Sequence, residues 1–277
     1  MRKKSILVTG SSGFIGSNLI DKIPHKTILF GKKDNLLSRE KVLQTKRVDV
    51  VIHLASKIPQ SNNKEKEGFF ENNVLGTLNI LEYCVKKRVE KLIFISSSIY
   101  GKPQYNPVNE KHPIMYNNPY SKSKILAEEL CKIYAKEYGL KIIILRLANV
   151  FGKGLKSGFL ISNLYEALEN NKPIKIINKK SKRDFIFVDD VVDVILLMID
   201  YECDFEIFNV GSGKSYSFQK ILQIFEKIYD VKLDKSFEEN KANFIPKMEL
   251  DISKIKQKTK WYPKISLEEG LKKYYSN

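Results

Sequence analysis

Apolar positions fall into two alternating rhythms along the chain. "SILVTG" (5–10) reads as a strand, "FIGSNLIDKI" (14–23) has helical spacing, and "KTILFG" (26–31) reads as a second strand. "VDVVIHLA" (48–55) is a near-continuous apolar run, the pattern of a strand covered on both faces. A helix is predicted over 70–87, a strand over 91–98, a helix over 120–139 closed by Gly139, and a buried strand over 141–150. Strands alternating with helices predict an α/β fold with a doubly wound parallel sheet.

Beyond residue 150 the rhythm loosens. Helical spacing appears at 157–170 and 218–229, a strand runs into a helix over 182–200, and 206–213 reads as a strand. Asp189 or Asp190 is placed to cap the helix within 182–200. The tail holds two short helical pieces. The division expected is a dinucleotide-binding domain over 1–150, rejoined by 184–212, and a smaller C-terminal α/β substrate lobe from 151–183 and 213–277. Such a lobe would lie over the carboxyl edge of the sheet, where open α/β sheets bind ligands.

Composition narrows the possibilities. The chain has 277 residues, 43% hydrophobic and 29% charged, as a globular protein of one large or two smaller units requires. Its net charge is +16, but the lysines are spread along the whole length. That argues for a basic surface that draws in an anionic small molecule rather than for nucleic-acid binding. Cys84, Cys131 and Cys203 have neither paired nor metal-site spacing, so no metal is expected, and two of them fall on apolar stripes. No run approaches a membrane span, and the apolar run at the N-terminus is too short for a signal peptide, so a cytoplasmic protein is expected.

Two motifs carry chemistry. "VTGSSGFIG" places Gly10, Gly13 and Gly16 between the first strand and the first helix. Without Cβ atoms, such a turn brings backbone N–H groups and a helix N-terminus against a pyrophosphate. "YSKSK" places Tyr120 four residues before Lys124, hence on one helix face. An ammonium beside a phenol favours the phenolate and suits acid–base work.

With "DVVIHLAS", "NNVLGT", "SSSIYG", "RLANVFG", "RDFIFVDD" and "FNVGSG", these motifs resemble the extended short-chain dehydrogenase/reductases, especially nucleotide-sugar epimerases and reductases, nearly end to end. The resemblance implies a Rossmann fold and an NAD(P)-dependent enzyme. Phe14 and Ile15 would lie along the dinucleotide, and the stretch from Leu54 through Ala55 and Ser56 to Ile58 beside the nicotinamide ribose. Asn72 or Asn73 would touch the cofactor or brace the central helix. Tyr120 would exchange the proton of a sugar hydroxyl, Lys124 would hold the ribose and lower the Tyr120 pKa, and Ser96 or Ser97 would bind the same substrate oxygen. Asn149 and Arg183 would contact the sugar nucleotide, Arg183 at its diphosphate.

Departures from the pattern narrow the reaction. The end of the second strand carries Gly31, Lys32 and Lys33 where NAD-binding relatives place an acid, which leans the cofactor towards NADP, with Asp34 as the alternative ribose ligand. The acid pair of sugar dehydratases is absent from "SSSIYG". Ser98 and Phe159 stand where a Cys and a His serve 3,5-epimerisation in GDP-fucose synthase. A second substrate arginine is missing, with only Lys241 and Lys247 nearby. What remains is 4-epimerisation or 4-keto reduction of a nucleotide sugar, with a homodimer and surface-polysaccharide biosynthesis as family expectations. The alternative is a non-catalytic dinucleotide sensor or scaffold.

Overall fold

The structure, a computed structural model, describes residues 3–59, 68–115, 118–240 and 244–274. The first half comprises β1 (Ser5–Thr9), α1 (Phe14–Ile20), β2 (Lys26–Phe30), α2 (Arg39–Gln44) and β3 (Val50–His53). There follow α3 (Gly76–Lys86), entered through a π-helical turn at Glu71–Leu75, β4 (Lys91–Ser97), α4 (Pro119–Tyr138) and β5 (Lys141–Leu147). The second half holds β6 (Asn149–Phe151), α5 (Leu160–Asn170), β7 (Ile174–Ile177), β8 (Lys182–Phe187), α6 (Val188–Asp200) and β9 (Phe205–Val210). It closes with β10 (Ser215–Ser217), α7 (Phe218–Tyr229), β11 (Lys235–Glu238), β12 (Lys247–Met248), α8 (Ser253–Thr259) and α9 (Leu267–Lys273).

Six strands form a parallel sheet in the order β2-β1-β3-β4-β5-β9. The continuous apolar runs are explained by cover on both faces. Ile6, Val8, Ile52, Ile93, Ile143 and Leu145 enter one core with residues of α5, α6 and α7. Leu7, Val51, Leu92, Phe94, Ile142 and Ile144 enter the other, with α3 and α4. Cys84 and Cys131 lie in that second core, where burial pushes both thiols well up. Their occupation is packing.

The strand expected over 141–150 is two strands. β5 stops at Leu147, the Ala148 N–H donates to Val210 O at 2.8 Å, and the chain crosses into β6 of a small sheet. In that sheet β8 is flanked by β10, β12 and β6. Residues 184–187 therefore lie with β8 in the small sheet, and the return to the main layer is made by α6 and β9. α6 begins at Phe187 with no side-chain cap. Asp190 instead accepts the Lys264 and Ile265 N–H groups at 2.9 and 3.0 Å, which pins the tail to α6.

Sequence periodicity passed over α2 and the β7–β11 pair. They are short, and only alternate residues of β7 are buried. α4, by contrast, is bounded as its sequence directs. Asn118 accepts from the Ser121 N–H at 2.8 Å, Pro119 opens the first turn, and Gly139 closes the helix at φ +65°.

Candidate active site at the carboxyl edge of the sheet

The glycine turn joins β1 to α1. Gly10 has φ +71°, and a Cβ there would stand 2.7 Å from Ala55 N. The loop after β3 thus passes directly over the turn, held by Leu54 N–H to Thr9 O at 3.1 Å and Ala55 N–H to Thr9 Oγ1 at 3.3 Å. A Cβ on Gly16 would meet Gly10 O at 2.3 Å, so α1 can lie this close to the turn only without a side chain there. Gly13 is the N-cap and offers no side-chain cap, so the first amides of α1 are left for an outside acceptor. Phe14 and Ile15 open α1, half-buried against the core. At the end of β2, Lys32 and Lys33 are exposed, while Asp34 turns its carboxylate back to the Gly31 N–H at 2.8 Å. The bare turn, the uncapped helix start and the two ammonium groups make a cradle that fits a dinucleotide's phosphates.

β4 ends against α4, and three consecutive residues of the strand meet three side chains of the helix. Ile95 O accepts from Lys124 Nζ at 2.8 Å, and the ammonium lies 4.3 Å from the Phe94 ring centroid. Ser96 donates to Glu128 Oε1 at 2.5 Å. Ser97 hydrogen-bonds the Tyr120 phenol. The hydroxyl of Ser96 is thus committed to Glu128, and Ser97 is the serine that faces Tyr120.

Burial raises the Tyr120 pKa above its ordinary value, and the Ser97 hydrogen bond only partly offsets it. This differs from the lowering expected of a neighbouring lysine. The reason is that Lys124 directs its ammonium to the Ile95 carbonyl. Lys124 itself is pushed down to about 8 by burial, with the charge of Glu128 acting against that.

The π-helical turn before α3 points Asn73, and not Asn72, into the site. Asn73 Oδ1 accepts from the Lys57 N–H at 2.7 Å and from Ser56 Oγ at 3.0 Å. Its Nδ2 donates to Lys57 O at 3.0 Å and to Ser123 Oγ at 2.9 Å, and Ser123 donates to Tyr120 O at 2.8 Å. Asn73 so ties the 54–58 loop to the first turn of α4. Asn72 is exposed and donates to Gly68 O at 2.8 Å. Below this seam His53 is buried between Thr9 and Thr77, at 2.6 and 3.1 Å. Burial first, and then the Lys124 charge, hold it down to about 3.

On the other side of the edge, β6 pairs with β8 and brings Asn149 opposite Phe185, two residues after Arg183. Asn149 Nδ2 donates to Asp184 O at 2.8 Å. Arg183 Nη1 donates to the Lys182 and Ile245 carbonyls at 2.9 and 2.8 Å. Burial alone lowers its pKa to about 10, and no carboxylate among the described residues is paired with it. Lys247 is occupied by Glu249 at 2.9 Å, and Lys241 lies outside the described residues. Phe159 occupies the N-cap position of α5, its N–H donating to Ser162 Oγ at 3.2 Å, and the Ser98 N–H donates to Leu147 O at 2.9 Å.

Sequence reasoning missed the charged pair beneath the site. Arg146 and Glu128 are 2% and 1% exposed and meet at 2.7 Å. Arg146 also donates to Tyr100 Oη at 3.1 Å, and Tyr100 donates to Asn209 Oδ1 at 2.5 Å. The signal was an arginine inside the apolar run "KIIILRL", since charged residues are almost never fully buried without a partner.

The family model described as "NAD dependent epimerase/dehydratase family" matches residues 6–211. The chain is 33% identical to a putative UDP-glucose 4-epimerase of Methanocaldococcus jannaschii, over 97% of this chain and 96% of that one. It superposes on a UDP-glucose 4-epimerase of Thermotoga maritima solved with UDP-glucose, at TM-score 0.89 and 29% identity, covering 98% and 97% of the two chains. It also matches a UDP-glucuronic acid 4-epimerase of Bacillus cereus solved with UDP-glucuronic acid and NAD, at TM-score 0.89 and 26% identity, covering 98% of each.

Proposed function

The chain belongs to the NAD dependent epimerase/dehydratase family, and from that membership and the geometry of the site we propose that it is a 4-epimerase of a nucleotide sugar. The observation that carries this reading is the meeting of Ser97, Tyr120 and Lys124 at the carboxyl end of β4. The relatives named above, 4-epimerases of UDP-sugars by name, support it.

A bound nicotinamide dinucleotide would supply the hydride acceptor and donor at one sugar carbon. Tyr120 Oη would take the proton of the 4-hydroxyl and later return it, while Ser97 holds the same oxygen. Lys124 would hold the nicotinamide ribose. Gly10, Gly13, Gly16, Phe14 and Ile15 would bind the pyrophosphate side, and Leu54, Ala55 and Ser56 the ribose side, with Asn73 fixing that loop. The Arg183 guanidinium, with no carboxylate partner among the described residues, suits the sugar nucleotide's diphosphate. The serines and Ile99 in the β4 loop and Phe159 at the start of α5 supply no acid or base for dehydration or 3,5-epimerisation at those positions.

A second reading, 4-keto reduction with NADPH, is favoured by one observation: Lys32 and Lys33 are exposed at the end of β2 while Asp34 is turned to Gly31. A second copy of the chain would pack on the exposed apolar residues Leu75, Leu126, Ile133 and Tyr138 of the α3–α4 side.

Denaturing the purified protein and identifying the released dinucleotide separates the two readings. Retained NAD, with UDP-sugar interconversion and no net reduction, is expected of the epimerase. An empty protein that consumes NADPH with a 4-keto sugar indicates the reductase. Tyr120→Phe should lower kcat by about 10²–10⁴-fold in either case. Full turnover by that variant would overturn both.

A further inference from the structure

We infer that Glu128 is a positioning residue for this site: bound to Ser96 and Arg146, its carboxylate locks α4 in register with the carboxyl end of β4 and so sets where Tyr120 and Lys124 stand. The inference rests on the reading of Tyr120 and Lys124 as the reacting pair.

The geometry is a three-point clip. Tyr120, Lys124 and Glu128 are spaced four residues apart on one face of α4. They engage Ser97, the Ile95 carbonyl and Ser96, three consecutive residues of β4. The first two contacts are single hydrogen bonds. The third is a hub. Glu128 accepts from Ser96 at 2.5 Å, from Arg146 Nη2 at 2.7 Å, and from Arg146 Nε at 3.2 Å to both oxygens. Arg146 belongs to β5 and continues the network to the Glu110 carbonyl at 3.3 Å and, through Tyr100, to Asn209 of β9. One carboxylate thus joins the helix that carries the proposed acid and ammonium to three adjacent strands of the sheet. A fork-to-carboxylate pair fixes angle as well as distance, which two single hydrogen bonds do not. Its burial removes the solvent that would let the pair slide.

The same carboxylate sets the charge felt by Lys124. Around that ammonium stand Glu128 and Cys131 of α4, neutral His53 of β3, the Phe94 ring and Ile95 carbonyl of β4, and Arg146 of β5 behind Glu128. Glu128 is the single anion in the group. Without its charge, burial and the uncovered Arg146 both act to deprotonate Lys124.

The test compares Glu128→Gln and Glu128→Asp with wild type in kcat, KM for the sugar nucleotide and the pH profile, with circular dichroism as the check of folding. Glu128→Gln should lower kcat by about 10–100-fold through misplacement, leave KM nearly unchanged, and move the alkaline limb down by about one pH unit. Glu128→Asp keeps the charge one methylene short, so the limb should stay while kcat still falls. A folded Glu128→Gln with wild-type kcat and pH profile overturns the inference. If Glu128→Gln does not fold, Ser96→Ala decides, since it cuts one arm of the hub and keeps the ion pair. It should lower kcat several-fold at unchanged KM, and wild-type kcat would overturn the inference. Tyr120→Phe, assayed alongside, separates the two levels. If it turns over fully, the underlying reading falls; if only the Glu128 and Ser96 variants match wild type, this inference falls alone.

Discussion

His53→Gln should make the protein less sensitive to acid, and the size of the effect follows from the hydrogen bonds. Thr77 Oγ1 spends its proton on Asn73 O at 2.6 Å, so towards His53 Nε2 it can only accept. The Nε2 nitrogen therefore carries the hydrogen, and Nδ1 accepts from Thr9 Oγ1. Thr9 in turn accepts from the Ala55 N–H. Every donor in the chain Ala55–Thr9–His53–Thr77–Asn73 has an acceptor only while the imidazole is neutral. A second proton on Nδ1 would face the Thr9 hydroxyl proton, in a buried place already facing the Lys124 charge. This agrees with a folded pKa near 3, against an ordinary 6.5. The folded value is depressed, so below pH 6.5 the unfolded chain binds the extra proton. Stability is fully present above that pH and is lost as the pH falls. From pH 7 to pH 5 this one group removes ~2 kcal/mol. Urea unfolding of wild type and His53→Gln at both pH values reads it directly. The variant starts less stable but should lose ~2 kcal/mol less on acidification. Equal losses in the two proteins would refute the neutral, trapped imidazole.

Three further outcomes test other parts of the site. Gly16→Ala forces a Cβ to 2.3 Å from Gly10 O, whereas Gly13→Ala meets the same atom at 3.1 Å. Gly16→Ala should therefore cost about 3 kcal/mol and Gly13→Ala about 1, read as Tm losses of about 6–12 and 2–4 °C, and a reversed order would contradict the turn geometry. Replacing Lys32 and Lys33 together by Ala should reduce affinity for NADPH more than for NADH by about tenfold, measured by fluorescence titration; equal losses would show that the lysines are only solvated. Ser97→Ala should lower kcat about 10–100-fold with the dinucleotide still bound, and wild-type kcat would remove Ser97 from the proton-handling set.

Elements whose code is local were legible in the sequence. The buried strands announce themselves as apolar runs, the glycine turn by its spacing, and α4 by Asn118, Pro119 and Gly139 at its ends. What was not legible depends on direction, which a one-dimensional pattern does not hold. Ser96 and Ser97 are neighbours of one residue type, and only the pleat decides that one meets Glu128 while the other meets Tyr120. Asn72 and Asn73 differ likewise. The π-helical turn rotates Asn73 inward to brace the 54–58 loop and leaves Asn72 in solvent. The Tyr120–Lys124 spacing correctly placed the two on one helix face. It could not show that the ammonium bends to the Ile95 carbonyl, or that burial would outweigh it at the phenol.

The buried cations complete the physical picture better than the net charge of +16 does. Burial presses on the Arg146 guanidinium too, but the hydrogen bonds and charge of Glu128 more than offset it, and its pKa ends above the ordinary value. Lys91 is pressed down by burial and is held by the carbonyls of Met198, Ile199 and Tyr201 at the end of α6, where a helix terminus favours a cation. Each of these is fully engaged. Lys124 and Arg183 form no ion pair among the described residues. Lys124 has one carbonyl and a ring face, and the nearest carboxylate is already taken by Arg146 and Ser96. Arg183 has two carbonyls. A desolvated cation without an anion costs stability, and both stand at the carboxyl edge of the sheet, on β4's side and on β8's. On the proposed reading, the oxygens of the dinucleotide ribose and of the sugar nucleotide's diphosphate are what offset that cost. Ligand binding should therefore raise the pKa values of both cations, and the stability it adds to the fold should be fullest below about pH 8 and shrink above it, where the free protein gives up the Lys124 proton that the bound form keeps.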